Sequence, residues 1–228
     1  MIYVMSDIHG YYDRFMDVLD QINLQPDDHL YVLGDVIDRL PDGLDILQYL
    51  MKIPNATLIL GNHEHMMLDS FEHPDSHEKR SRWFHNGGGI TRDAFYALPL
   101  EEGDAILDYI RGLPVNIEIT VNGINYLLVH GAPLDTYDPY HSKYPSAGVH
   151  AIWHRLDRYS RMPKGKTVIF GHTPTIHYHQ KLPMRIWYGD HMIGIDCGCA
   201  TSEYGRLACL RLDDMKEYYS STSDNLTE

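Results

Sequence analysis

An α/β fold is what this sequence predicts, and two observations predict it. Short apolar runs recur through the first half, each closing on a small polar cluster, as buried strands do. The segments between those runs carry apolar residues at helical spacing. The resulting order, strand–helix–strand–helix–strand, calls for parallel strands joined by right-handed crossovers, with helices covering the sheet.

The first strand is Ile2-Tyr3-Val4-Met5, ahead of Ser6-Asp7. Phe15, Met16, Leu19 and Ile22 then line one face of a helix. Tyr31-Val32-Leu33 before Gly34-Asp35 gives the second strand, and Leu44, Leu47, Leu50 and Met51 mark the second helix. Leu58-Ile59-Leu60 before Gly61-Asn62 is the third strand. Residues 72 to 93, rich in His, Ser, Arg and Gly, read as a loop or cap with little helix. Val115 to Thr120 and Tyr126 to Val129 flank Asn122-Gly123, a strong hairpin signal that predicts antiparallel pairing. Further strands are expected at Thr167 to Phe170, Met192 to Ile195 and Arg206 to Leu212. Asp213 to Glu228 is polar and reads as a tail that frays.

Bulk composition narrows the function classes. A chain of 228 residues, 43% hydrophobic and 22% charged, can bury one good core, and no linker divides it, so 1–228 reads as one domain. Its net charge of -13 argues against broad contact with nucleic acid or an anionic membrane, either of which it would repel. A small anionic substrate would need a local cationic trap. No apolar run approaches the roughly 18 residues of a membrane span, and no basic, apolar leader is evident, so a cytoplasmic setting is expected. Cys197, Cys199 and Cys209 cannot all pair and look nothing like a secreted disulfide framework, so reduced thiols are the default.

The polar clusters fall where ligands collect in open α/β sheets, beyond the carboxyl ends of strands. Asp7 and His9 are two apart, so an extended backbone would point both to one side, where carboxylate and imidazole grip one ion. Asp35 follows the second strand, Asn62 the third, and His130 and His172 follow later apolar runs. All are oxygen or nitrogen ligands and none is a thiolate, which favours manganese, iron or zinc. Asp35 is the natural bridge, because a carboxylate has lone pairs enough for two ions. Paired cations roughly 3.5–4 Å apart would activate a water and clamp a phosphate ester.

Asp7-Ile8-His9-Gly10, Gly34-Asp35-Val36-Ile37-Asp38-Arg39, Gly61-Asn62-His63-Glu64, His130-Gly131 and Gly171-His172 resemble the ordered signature of the phosphoprotein phosphatase family. The match is closest to the bacterial and phage branch of these calcineurin-like metallophosphoesterases, and it runs from the first strand to Asp196-Cys197-Gly198. The resemblance implies a layered fold in which mixed β-sheets form a central sandwich flanked by helices. It implies two divalent ions, manganese first, with Asp7, His9 and Asp35 on one and Asp35, Asn62, His130 and His172 on the other. It makes His63 the general acid, oriented by Asp38, and gives the substrate phosphate to Arg39, Arg155 and Asn62. Leu40 and Ala132 stand where many members have Gly, which bears on loop shape and substrate. Trp83-Phe84-His85-Asn86-Gly87-Gly88 also looks like a segment that lies near the site in bacterial members.

Bland readings compete at other positions. His29, His73, His77, His141, His177, His179 and His191 read as surface imidazoles, and His65, His85, His150 and His154 are given no role. Glu64 divides evenly between a helix start favoured by the N-terminal dipole and a part in the site. The expected activity is a metal-dependent phosphomonoesterase, first a protein serine/threonine phosphatase acting on phosphorylated proteins or peptides, with small phosphoesters as further substrates. The alternatives are a dinucleoside tetraphosphatase on the same site and a phosphate-binding module without turnover.

Overall fold

The computed structural model describes residues 1–179, 184–200 and 204–221. Two five-stranded mixed sheets face each other. In the first, the order is β10-β9-β1-β2-β3, with β1 (Ile2–Met5), β2 (His29–Val32) and β3 (Ala56–Leu58) parallel. β9 (Ala208–Arg211) and β10 (Lys216–Tyr219) add antiparallel pairs. In the second, the order is β4-β5-β6-β8-β7, where β5 (Ile124–Val129), β6 (Thr167–Phe170) and β8 (Met192–Gly194) are parallel. β4 (Asn116–Val121) forms the expected hairpin with β5 about Asn122 and Gly123, and β7 (Trp187–Gly189) closes the other edge.

Strand alternation divides the core. Val4, Leu33, Ile59, Leu128, Ile169, Ile193 and Leu210 fill the space between the sheets. Tyr3, Met5 and Leu30 turn to the other side, under α1 (Tyr12–Ile22) and α2 (Gly43–Lys52). Those helices bury Phe15, Leu19 and Ile22, and Leu44, Leu47 and Leu50, as their spacing predicts. Val129, Val168 and Phe170 pack on the outer face of the second sheet.

Two expectations need correction. Residues 72 to 93 are largely helical: α3 (Asn62–Glu72) is followed by α4 (His77–His85) and α5 (Gly88–Tyr96). Polar composition and the Gly87-Gly88-Gly89 run hid them, because α4 buries only Trp83 and Gly87 turns the chain at φ 97°. The stretch after Asp213 does not simply fray, since β10 buries Tyr218 against the first sheet; residues 222–228 lie outside the described set. The sequence reading also lacked β7, α6 (Leu100–Arg111) and α7 (Ala147–Trp153). No described helix is long and apolar enough to cross a membrane.

Parallel strands decide where chemistry gathers. The carboxyl ends of β1, β2 and β3 and of β5, β6 and β8 deliver Asp7 and His9, Asp35, Asn62, His130, His172 and Asp196 to one end of the sandwich.

Candidate active site

The strand ends are held together by the main chain. The Asp7, His9 and Gly10 N–H groups donate to the Gly34, Asp35 and Val36 carbonyls at 3.1, 3.0 and 2.8 Å, locking the first loop to the second. Gly34, at φ 82°, lies so close to the third loop that a Cβ would meet Gly61 Cα at 2.6 Å. Asp7, His9, Asp35, Asp38, Arg39 and His172 also have positive φ, at 54, 51, 54, 72, 72 and 63°. The extended backbone assumed for Asp7 and His9 is therefore corrected: left-handed turns aim these side chains. Each such non-glycine residue costs roughly 1–3 kcal/mol, which the loop hydrogen bonds and buried contacts must offset.

Glu64 does much of that. Its fully buried carboxylate accepts the N–H groups of Asp35 at 2.9 Å, Val36 at 2.8 Å and Ile37 at 3.3 Å, and that of Gly61 at 3.2 Å. It thus caps α3 and clamps the Asp35 loop at once. A helix start at Glu64 was one of the two readings the sequence left open; the clamp on the Asp35 loop needed the fold.

Around Asp35 the ligating atoms cluster twice. His9, Asp35 and His63 offer atoms within 4.8 Å of one another, and so do Asp35, His130 and His172. Asp35 belongs to both groups, as a bridging carboxylate would. Asp7 belongs to neither; its Oδ2 accepts from the Ser6 hydroxyl and from His172 N at 2.9 Å. His9 Nδ1 reaches the Ile37 carbonyl at 3.1 Å and His130 Nδ1 the Leu33 carbonyl at 2.6 Å. Each contact ties one ring nitrogen and turns Nε2 towards Asp35, at 3.7 and 3.4 Å.

The donor set fits a cation. With Nδ1 donating to Leu33, a neutral His130 would set an Nε2 lone pair 3.0 Å from Asn62 Oδ1, acceptor against acceptor. A shared positive charge relieves that. Burial disfavours a charged His130, yet Asp35 beside it outweighs burial and holds the ring up to about 10. Asp35 itself is held well below the usual carboxylate range, because His130, His63 and His9 together overcome its desolvation. Burial and the nearby Asp196 push Asp7 well up, and burial with neighbouring cationic rings pushes His9 and His172 well down.

His63 stands apart from this chemistry in its partner. Its Nδ1 lies 2.7 Å from Asp38 Oδ2, with Asp38 wholly buried, while Nε2 lies 3.4 Å from Arg39 Nη2. Burial opposes a charged ring, but Asp35 and Asp38 raise its pKa above the ordinary value. A cavity of about 830 Å³ opens over these groups, lined by Asp7, His9, Asp35, Asn62, Arg39 and Arg155 among others. Arg39 is exposed to it, and Arg155 donates from Nη1 to the His172 carbonyl at 2.8 Å.

All the sequence-nominated residues meet in or around this cavity. The calcineurin-like phosphoesterase family pattern matches residues 1–192, which hold every one of them. The chain belongs to this family. The metallophosphoesterase is 38% identical over 133 residues to serine/threonine-protein phosphatase 2 of Escherichia coli, covering 57% of each chain. It is 35% identical over 115 residues to a symmetrical bis(5'-nucleosyl)-tetraphosphatase of Salmonella paratyphi A, covering 50% of this chain and 37% of the relative. Its fold is like that of a metallophosphoesterase from Sphaerobacter thermophilus, with a TM-score of 0.57 at 16% identity over 99% of this chain and 90% of that one. The matches therefore reach less than two thirds of these curated relatives' lengths.

Several wall residues escaped the sequence reading. Lys143, Tyr144, His154, His177 and Asp196 line the metallophosphoesterase cavity, and Asn86 joins them from the segment expected near the site. His177 read as a surface imidazole with no local signal, while His154, beside Arg155, lay near a motif but was given no role. The Leu40 departure is absorbed by a tight turn in which Leu40 N donates to the Asp38 carbonyl at 2.9 Å. Ala132 is buried, and its N–H and that of Gly131 both donate to the Ala151 carbonyl at 2.9 Å.

Proposed function

We propose that the chain is a metal-dependent phosphomonoesterase, and first a protein serine/threonine phosphatase. The observation that carries this reading is the buried His63–Asp38 pair, whose other ring nitrogen turns to the cavity 3.4 Å from Arg39 Nη2 and 3.8 Å from Asp35 Oδ2. A mere phosphate binder has no use for an oriented acid.

Asp7, His9, Asp35, Asn62, His130 and His172 would hold two divalent cations, manganese first and iron or zinc next by donor chemistry. Such ions lower the pKa of a water and neutralise charge on the phosphoryl group. The chain's own residues do the rest. Arg39 presents a planar fork to two phosphate oxygens, and Arg155, anchored through His172, presents its remaining donors from the other wall. Asn62 contributes a neutral oxygen, so the site keeps its attraction for an anion on a chain of net charge -13. His63 would carry the proton on Nε2 to the departing oxygen, while Asp38, at 2.7 Å from Nδ1, keeps the other nitrogen protonated and the ring aimed.

Tetraphosphatase activity is the second reading, supported by the aromatic wall of Tyr144 and Trp153, on which a base could stack. A phosphoserine peptide and diadenosine tetraphosphate, assayed side by side with manganese, zinc and magnesium, separate the two. Phosphate released from the peptide at the higher kcat/KM supports the first reading; exclusive cleavage of the dinucleotide replaces it. A cytoplasmic setting belongs to the same proposal, in keeping with three free, buried thiols.

A further inference from the structure

Asp38 is more heavily bonded than orientation of His63 alone requires. Its Oδ2 accepts His63 Nδ1 at 2.7 Å and the Trp83 indole N–H at 3.0 Å. Its Oδ1 accepts the same indole N–H at 3.1 Å and the Thr91 hydroxyl at 2.6 Å. Thr91 Oγ1 in turn accepts the Asp38 backbone N–H at 3.0 Å, so one hydroxyl grips the residue at both ends. That backbone sits at φ 72°, a conformation that needs such a hold.

The donors come from α4 and α5, and both are nearly inaccessible, at 1% exposure for Trp83 and 2% for Thr91. The indole is fixed by Phe71 and Phe84, with ring centroids at 5.9 and 5.7 Å. Gly88 lies against its face, where a Cβ would meet Trp83 Cε2 at 2.5 Å. Between the two helices, the Gly87 carbonyl accepts Arg39 N–H at 3.2 Å. One helical pair therefore grips both the aspartate and the neighbouring phosphate fork.

We propose that Trp83 and Thr91 are positioning residues for proton donation, fixing Asp38 in the one rotamer that aims His63 at the leaving oxygen. The inference rests on the proposed phosphomonoesterase reading. A carboxylate has about four acceptor directions. Three donors on two oxygens leave it no freedom to swing, and an imidazole tied to it inherits that rigidity. Loss of either outer donor frees the carboxylate to rotate. Misaim of the acid then matters in proportion to how badly the leaving group needs a proton: acutely for a serine alkoxide, hardly at all for nitrophenolate.

The test uses the full chain loaded with manganese and two substrates, a phosphoserine peptide and p-nitrophenyl phosphate. Thr91→Val and Trp83→Phe should each lower kcat on the peptide by roughly 10–100-fold, with KM unchanged, and on the nitrophenyl ester by less than about three-fold. Thr91→Ser keeps the hydroxyl and should stay within about three-fold on both. In the metal-free chain, the low-field His63 Nδ1 proton resonance, assigned by its loss in His63→Asn, should move in Thr91→Val and not in Thr91→Ser. Equal losses on both substrates, or full turnover of the peptide, in a variant with parental melting temperature overturn the inference. So does an unmoved resonance in Thr91→Val. Should Trp83→Phe not fold, the near-isosteric Thr91→Val decides. A parent that hydrolyses neither substrate overturns the proposed function itself, and this inference with it.

Discussion

His63 and Asp38 face each other at 2.7 Å with both side chains withdrawn from solvent, and this pairing leaves one imidazole nitrogen for the cavity. The ring is charged more readily than a free imidazole because Asp35 and Asp38 outweigh its burial. His63→Asn removes the transferable proton while keeping a polar side chain of similar reach. It should lower kcat on an alkyl phosphate by about 10²–10⁴-fold. Manganese affinity measured by calorimetry should fall far less than kcat, even though His63 lies in one group with His9 and Asp35. Parental turnover in this variant would remove His63 from the acid role.

Asp35 is the member common to both groups of side chains that could hold an ion, so removing its charge should disable both. Chelation should abolish turnover, and added manganese should restore it. Metal at 100 times its dissociation constant stabilises the native state by about 2.7 kcal/mol. For a chain of this size that is a melting shift of roughly 5–10 °C. Asp35→Asn should lose both the shift and the rescue. A parental shift in that variant would place the ions elsewhere.

Glu64 gathers four backbone N–H groups from two loops. Glu64→Gln turns one oxygen into a donor facing those donors, so stability should fall by about 2–4 kcal/mol. Urea denaturation should show a lower midpoint with an unchanged slope. A midpoint equal to the parent's would mean that the clamp contributes nothing.

The three cysteines supply a pH signature remote from metal binding by sulfur. Burial pushes the Cys199 thiol up to about 12 and raises Cys197 and Cys209 as well. An unfolded thiol ionises near roughly 8.5. Between those values the unfolded chain has shed protons that the native chain keeps, so stability is full below about pH 8.5 and declines as pH rises above it. The melting temperature should fall between about pH 8.5 and 10.5, and a thiol reagent at pH 8 should label the chain only in denaturant. Rapid labelling of the native protein would contradict the burial.

Where local pattern carries the signal, sequence reading served well. The faces of α1 and α2 are written in apolar spacing, and the Asn122-Gly123 hairpin in turn chemistry. Helices α4 and α5 were not legible, because they bury few side chains of their own and serve a neighbour instead: Trp83 and Thr91 make sense only beside Asp38. The left-handed turns at Asp7 and His9 were likewise unreadable, since the hydrogen bonds that hold them, to the Gly34 and Asp35 carbonyls and from His172 N and to the Ile37 carbonyl, all reach distant loops.

By itself, then, the sequence determined which residue types stand after which strands, and with them the oxygen and nitrogen donor set and the family. Only the tertiary structure decided that Asp35 is shared by two clusters, that Glu64 clamps a loop, and that His154 and His177 share a wall with Arg39. The physical reason is range. Strand and helix patterns are fixed by neighbours a few residues away, whereas a site's distances, tautomers and charges are fixed by groups that meet only once two sheets have packed face to face.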